Sequence, residues 1–305
     1  MKIIVQAPGM FTTLQDLGRP GYGSLGVSTA GASDPISLRL GNRIVGNDEG
    51  AAALEFTLLG GTFVFPDGGI VAVTGGDFGA SVPMWTAVSI EPGHTLRLGP
   101  SRSSARAYLC VRGGIDVPLV LGSASTHVLT GLGGFEGRAL RKGDVLPIGT
   151  SVRGPSKMLR ADVVNTLMHP RKLISVTAGP QASEFSEAAR KEFYDSAFRV
   201  SEQSNRMGIR LSGPSIETPH GGQMITEGVA LGAIQVPAGG QPIILFVEQQ
   251  TTGGYPKIAN VIAADLPALG RLRPRDEIRF ELVDLAEARR LLLEQEALLT
   301  RADLD

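Results

Sequence analysis

Gly232–Ala259 reads GAIQVPAGGQPIILFVEQQTTGGYPKIA, and its pattern sets the reading of the rest of the chain. Ile243–Val247 is five consecutive apolar residues, bounded by Gly-Gly-Gln-Pro before it and by polar residues after it. A run that short, apolar on both faces and fenced by turn residues, is the signature of a strand buried on both sides in a barrel or sandwich core. Directly after it, Glu248-Gln249-Gln250-Thr251-Thr252 precede Gly253-Gly254. Polar side chains at the end of a buried strand, followed by two glycines, let the backbone turn sharply and approach a ligand closely.

Outward from this stretch the same pattern repeats. Short strands are expected at Gly61–Phe65, Ile70–Thr74, Thr86–Ile90, Thr95–Leu98, Ala107–Arg112, Ile174–Thr177 and Ile278–Val283. The 40 glycines and 19 prolines among 305 residues punctuate the chain too often for many long helices. Three helices are expected. Asp34 and Pro35 supply a cap and a first-turn proline for one that carries Ile36, Leu40 and Ile44 and ends near Gly46. A second spans Ser183–Tyr194, with Phe185, Ala189 and Phe193 on one stripe; a third opens at Asp284, with Leu285, Ala288, Leu292 and Leu299 on one face. The fold class is therefore mostly β, two β-subdomains with a few short helices, divided as 1–155 and 156–305 where Gly, Pro, Ser and charge cluster. A faint echo links Gly114–Pro118 with Ala233–Pro237; it fits either chance in a Gly-rich β-protein or two related subdomains.

Composition excludes several classes. With 29 basic and 30 acidic side chains the net charge is −1, so no global field favours nucleic acid or an anionic membrane. The single cysteine, Cys110, lies in an expected strand interior and suits a reducing compartment. No apolar run is long enough for a membrane span or signal peptide, and a cytoplasmic protein is expected. There is no P-loop and no Gly-x-Ser-x-Gly elbow, and the four histidines lack ligand spacing, so no metal site is expected from the protein's own residues. Gly21–Gly26 matches Gly-x-Gly-x-x-Gly but follows Arg19-Pro20 rather than a strand, so the dinucleotide context is missing.

Three polar segments remain as candidates. The first is Glu248–Lys257. In the second, Ser204–Leu211, Arg206 and Arg210 share one strand face and could take carboxylate or phosphate, or simply face solvent. In the third, Thr12–Arg19, Arg19 sits before a fixed Pro-Gly turn, where it suits a ligand or an ion pair with Asp16. Gln235, alone among apolar neighbours, requires a partner, either backbone or ligand.

These segments carry a resemblance. TTLQDLGR (Thr12–Arg19), GNRIVGN (Gly41–Asn47), ALEFTLLGG (Ala53–Gly61), YLCVRGGIDVPLVLGSAST (Tyr108–Thr126), GGFEGRAL (Gly133–Leu140), SNRMGIRLSG (Ser204–Gly213) and the opening stretch appear in family order. The chain thus resembles the biotin-dependent carboxyltransferase family, also known as allophanate hydrolase subunit 2 or the C-type component of 5-oxoprolinase. Glu248 stands where the family often has aspartate, which keeps the charge and changes its reach. The resemblance implies a cyclophilin-like β-barrel and a heteromeric, ATP-dependent enzyme that opens 5-oxo-L-proline to L-glutamate. It also implies a companion subunit 1, the B-type component of 5-oxoprolinase, together with the A-type component, and an oligomeric assembly using ATP and Mg²⁺. The alternatives are the carboxyltransferase half of a biotin-dependent urea or allophanate-type enzyme, with biotin as cofactor, and a regulatory subunit that binds a kinase inhibitor. Mapped by motif, the resemblance implies catalytic Glu248, Lys257 and Arg206, with Glu248 holding metal or water. Arg19, Gln235, Gln249, Gln250, Thr251, Thr252 and Tyr255 would bind substrate, the glutamines against its planar N–H/C=O edge.

Overall fold

The computed structural model describes residues 1–150 and 152–303. The chain forms two compact units: one comprises Met1–Arg19, Ala30–Met168 and the segment from Leu298, the other Pro20–Thr29 and His169–Ala297.

Among the described residues the first unit contains nine strands: β1 (Lys2–Ala7), β2 (Phe11–Gln15), β3 (Ala53–Thr57), β4 (Thr62–Phe65), β5 (Gly69–Gly75), β6 (Val88–Ile90), β7 (His94–Arg97), β8 (Arg106–Val111) and β9 (Val145–Pro147). They form two antiparallel sheets, ordered β7-β4-β1-β9 and β2-β3-β8-β5-β6. Alternation along β4, with Phe63 and Phe65 fully buried, turns one face of each sheet into a shared core with Ile3, Val5, Leu54, Phe56, Val71 and Leu109. Helix α1 (Pro35–Val45) packs on β5 and β8. Its start and stop are written locally. The Asp34 carboxylate accepts from the Ser37 N–H, Pro35 fills the first turn, and Gly46 ends the helix at φ 79°, a conformation only glycine adopts without strain. Helix α2 (Ala161–Met168) buries Val163 and Leu167 with Ile36 and Leu40 of α1 and with Leu299 and Ala302, so it belongs to this unit. The division after Met168, rather than at 155/156, follows from that apolar packing, which the Gly/Pro-rich stretch before it masks in sequence.

The second unit contains β10 (Leu173–Ala178), β11 (Phe198–Val200), β12 (Gly208–Ser212), β13 (Glu227–Gly228), β14 (Ala233–Gln235), β15 (Ile243–Leu245), β16 (Thr252–Gly253), β17 (Lys257–Val261) and β18 (Glu277–Leu282). Seven of these close into a barrel in the order β10-β17-β14-β15-β12-β11-β18. All pairs are antiparallel except β10 with β18. Closure removes exposed strand edges and explains why β15 is apolar on both faces. The barrel core contains Ile174, Val176, Ile209, Ile234, Ile244, Ile258, Ile278 and Phe280. Helix α3 (Glu187–Asp195) lays Ala189 and Phe193 on it, and the Phe193 ring stacks on Phe280 at 4.7 Å between centroids. Strands β13 and β16 pair only with each other, as a small ribbon outside the barrel.

The helix expected over Ser183–Tyr194 is broken. Ala182–Glu184 is a single 3₁₀ turn, Phe185 is extended, and α3 begins only after Ser186, whose hydroxyl accepts from the Ala189 N–H. A cap inside the apolar stripe overrides the periodicity. A short helix α4 (Leu266–Arg271) was not legible beside Pro267 and Gly270. In α5 (Leu285–Thr300) Leu299 is buried, but Leu285 is 78% exposed, so the expected stripe is buried only toward its end. The two echoing segments take different forms: Ile115 makes one isolated bridge to Ile148, whereas Ala233–Gln235 is barrel strand β14. Cys110 is interior to β8, where burial pushes its thiol pKa up.

Candidate functional site

In the second unit three elements place charged and amide side chains around the β15–β17 connection. Arg206, just before β12, and Glu248, just after β15, are brought together because β12 and β15 are antiparallel neighbours. The Glu248 N–H donates to the Arg206 carbonyl at 2.8 Å, and the Arg206 Nε donates to Glu248 Oε1 at 2.5 Å. Both side chains are buried, at 4% and 6% exposure. A buried pair of this kind is held only by good geometry and further hydrogen bonds, and removing one partner is costly.

Lys257 opens β17 and is 2% exposed. Its ammonium pairs with Glu227 Oε1 at 2.7 Å and also approaches the Tyr255 carbonyl at 3.4 Å and the Met224 sulfur at 3.7 Å. Glu227 sits on β13 with its side chain 41% exposed. It accepts a second bond, from Gln181 Nε2 at 3.1 Å, while Gln181 Oε1 accepts from the Lys257 N–H at 3.2 Å. Hydrogen bonds from Lys257 first and Gln181 second hold the Glu227 carboxyl below the usual range.

Gln235 ends β14 and registers with Lys257 across a local irregularity in the ladder. It is 1% exposed and its Nε2 finds no hydrogen-bond partner among the described residues. Gly253, which registers opposite Glu227 in the ribbon, lies against that amide: a Cβ at position 253 would stand 2.4 Å from Gln235 Nε2. Lys257, Glu227, Gly253 and Gln235 are thus linked by register and contact at the barrel's rim, with a buried ammonium and an unspent amide donor on partner positions.

The other expected site residues divide. Gln250 and Thr252 are exposed, Tyr255 is 40% exposed and Thr251 is half-buried, all on the turn between β15 and β17. Gln249 is used internally: in the amide orientation that satisfies both ends, its nitrogen donates to the Phe246 carbonyl and its oxygen accepts from the Leu231 N–H. Arg210 is exposed on β12. Arg19 belongs to the first unit, is 1% exposed, and donates to the carbonyls of Val120 and Ser125, holding the 120–126 loop. Beside it, Asp16 accepts from Gly18 N, Ser123 Oγ, Ala124 N and Ser125 Oγ. Glu227 and Gln181 were missed by sequence reasoning. Each stands alone in its own segment, and no local spacing signals a partner so far along the chain.

Comparison with known proteins gives the family and the fold. Residues 25–282 match the family model described as carboxyltransferase domain, subdomain A and B. The chain is 41% identical over 285 residues to the C-type component of 5-oxoprolinase from Escherichia coli strain K12, covering 92% of this chain and 91% of that one. It is 36% identical to the corresponding C-type component of 5-oxoprolinase from Haemophilus influenzae, covering 92% and 90%. Its fold is similar to the crystal structure of Kluyveromyces lactis urea carboxylase, with a TM-score of 0.91 and 33% identity. That likeness covers 98% of this chain but only 29% of the larger one. Mostly-β architecture, closed barrel, motif order and these likenesses agree, and the chain belongs to the carboxyltransferase domain family, subdomain A and B.

Proposed function

We propose that this chain is the C-type component of a heteromeric 5-oxoprolinase that opens 5-oxo-L-proline to L-glutamate at the expense of ATP. The companions would be components of the B and A types. The observation that carries this reading is the 41% identity to a 5-oxoprolinase component of the C type over nearly the full length of both chains. The cluster in the second unit supports it chemically. A lactam beside a carboxylate needs an amide donor for its ring carbonyl and a cation for its acid group, and Gln235 and Lys257 offer both. Gln250, Thr251, Thr252 and Tyr255 would orient the ring from the turn. Arg206 and Glu248 would act by fixing where that turn begins, Glu248 being the group nearest a base in type. Arg19 and Gln249 would support the loops they hydrogen-bond rather than touch substrate.

Hydrolysis of an unstrained amide loses resonance and expels a poor leaving group, and ATP supplies the driving force. The described residues of this chain offer no ready-made seat for Mg²⁺–ATP. Among the described residues no cluster of three or more His, Cys, Asp or Glu is placed to hold a metal ion. The two candidate carboxylates, Glu248 and Glu227, are also committed to Arg206 and Lys257. We therefore assign nucleotide handling to the companion chains and route no step through it here. No helix of the described residues is long and apolar enough to cross a membrane, and a cytoplasmic complex fits this reading.

A second reading, the carboxyltransferase half of a biotin-dependent enzyme acting on a urea-type acceptor, is favoured by the likeness to a urea carboxylase at TM-score 0.91. Biotin's ureido edge would suit the Gln235 amide, and a biotinylated carrier would have to come from another chain. The test is turnover by the reconstituted complex. The first reading expects glutamate release and ATP hydrolysis that both depend on 5-oxo-L-proline. Absence of both, together with a biotinylated protein that copurifies and urea-dependent carboxylation, would transfer the assignment to the second.

A further inference from the structure

Glu227 is an odd partner for a buried lysine. It comes from a ribbon of two two-residue strands, flanked by bonds from Met224 N to the Gly254 carbonyl (2.9 Å) and from Val229 N to the Thr251 carbonyl (3.0 Å). So short a ribbon is marginal by itself. Residues flanking Glu227 are open to solvent: Thr226 and Gly228 are exposed and Ile225 is 90% exposed. The lysine it meets is 2% exposed and rooted in a barrel strand. The buried half of the pair is thus the cation, and the partly exposed half is the anion. The same ribbon sets Gly253 against the unpartnered Gln235 Nε2, where an added Cβ would push that flexible amide aside.

We propose that Glu227 is a built-in stand-in for a substrate carboxylate: it sits on the Lys257 ammonium in the unliganded chain and is exchanged for the carboxylate of the incoming ligand. One carboxylate replaces another on the same ammonium, so the buried charge stays neutralised throughout and no bond other than hydrogen bonds is made or broken. When the Glu227 side chain leaves, the ribbon that carries Gly253 is released from Gln235, whose Nε2 then meets a ligand carbonyl. Ligands with a carboxylate next to an amide carbonyl are thereby preferred, because only they meet both groups. The resting pair also lowers apparent affinity, since binding must first displace it. The identity of the ligand rests on the 5-oxoprolinase reading; the carboxylate seat itself does not.

The experiment uses the reconstituted complex with wild-type chain, Glu227→Gln and Glu227→Asp, the last keeping the charge. With Glu227→Gln, the KM for 5-oxo-L-proline is expected to fall about three- to tenfold, the gain from removing a partly exposed competitor. The inhibition constant of 2-pyrrolidinone, the same lactam without a carboxylate, is expected to fall by less, because that ligand gains only the freed Gln235 amide. Glu227→Asp should lie near wild type. In parallel, reductive methylation of Lys257, read by peptide mass spectrometry, should be several-fold faster in Glu227→Gln and suppressed by 5-oxo-L-proline in both proteins. An unchanged or raised KM, or an equal shift for 2-pyrrolidinone, overturns the proposal, as does Lys257 labelling that ignores residue 227. If the complex does not turn over 5-oxo-L-proline, the assigned substrate fails alone. The seat then stands or falls on whether 227 governs labelling and whether acetate, but not acetamide, slows it.

Discussion

The two units bury charge in opposite ways. In the first, Asp16 is surrounded by donors that belong to fixed architecture: two backbone amides and two serine hydroxyls, all within the Asp16–Gly18 and Ser123–Ser125 turns. Arg19 donates to the carbonyls of Val120 and Ser125 in the same turn region. In the second, a lysine just as buried relies on a carboxylate that is 41% exposed and carried by a two-residue strand. Burial and polarity are similar; the exposure of the partner differs. A buried charge whose partners are all backbone or buried serine is a structural staple. A buried charge whose partner can leave is a place where a ligand can arrive.

That contrast can be broken by substitution. Arg206→Met would leave the Glu248 side chain, 6% exposed, without its guanidinium. Breaking a buried pair on one side costs about 3–5 kcal/mol, to be read from urea unfolding of the purified chain. Asp16→Asn keeps the size but turns one acceptor into a donor facing donors. A loss of about 2 kcal/mol is expected, with catalytic constants of the assembled enzyme unchanged. Gly253→Ala meets Gln235 Nε2, the end of a flexible side chain, so its stability cost should be ~1 kcal/mol or less, while KM rises because the amide is displaced. Glu227→Gln should be the mildest for folding, about 0.5 kcal/mol, since the pair is partly exposed. Its sign with pH is defined. The Glu227 carboxyl is held below its usual range, so its stabilisation is complete above the ordinary glutamate range. The difference between wild type and Glu227→Gln should vanish as pH falls through the lowered value.

What the sequence revealed, it revealed where the cause was local. Asp34, Pro35 and Gly46 bracket α1 within a dozen positions, and Ile243–Leu245 is apolar on both faces because its strand is closed into a barrel on both sides. The 3₁₀ break at Phe185 was hidden because its cap, Ser186, interrupts a stripe that otherwise has helical spacing. Helix α2 was hidden because it is short and its partners, Ile36, Leu40 and Leu299, lie in remote segments. The site followed the same rule. Glu248 through Lys257 announced themselves as a polar run with paired glycines. That Arg206 meets Glu248 depends on β12 pairing with β15, and that Lys257 meets Glu227 depends on a ribbon too short to leave a pattern. Gln249 looked like its neighbours in sequence and differs only in being tied to Phe246 and Leu231.

The most direct test of the account is steady-state turnover of 5-oxo-L-proline by the assembled enzyme carrying Lys257→Met, with the melting temperature of the same preparation. Loss of a cation from the reacting ligand should lower kcat/KM by about a hundredfold while the melting temperature stays within a few degrees of wild type. Wild-type kcat/KM in a folded Lys257→Met enzyme would contradict it, because the buried ammonium of the second unit would then be as structural as Asp16 and Arg19 in the first.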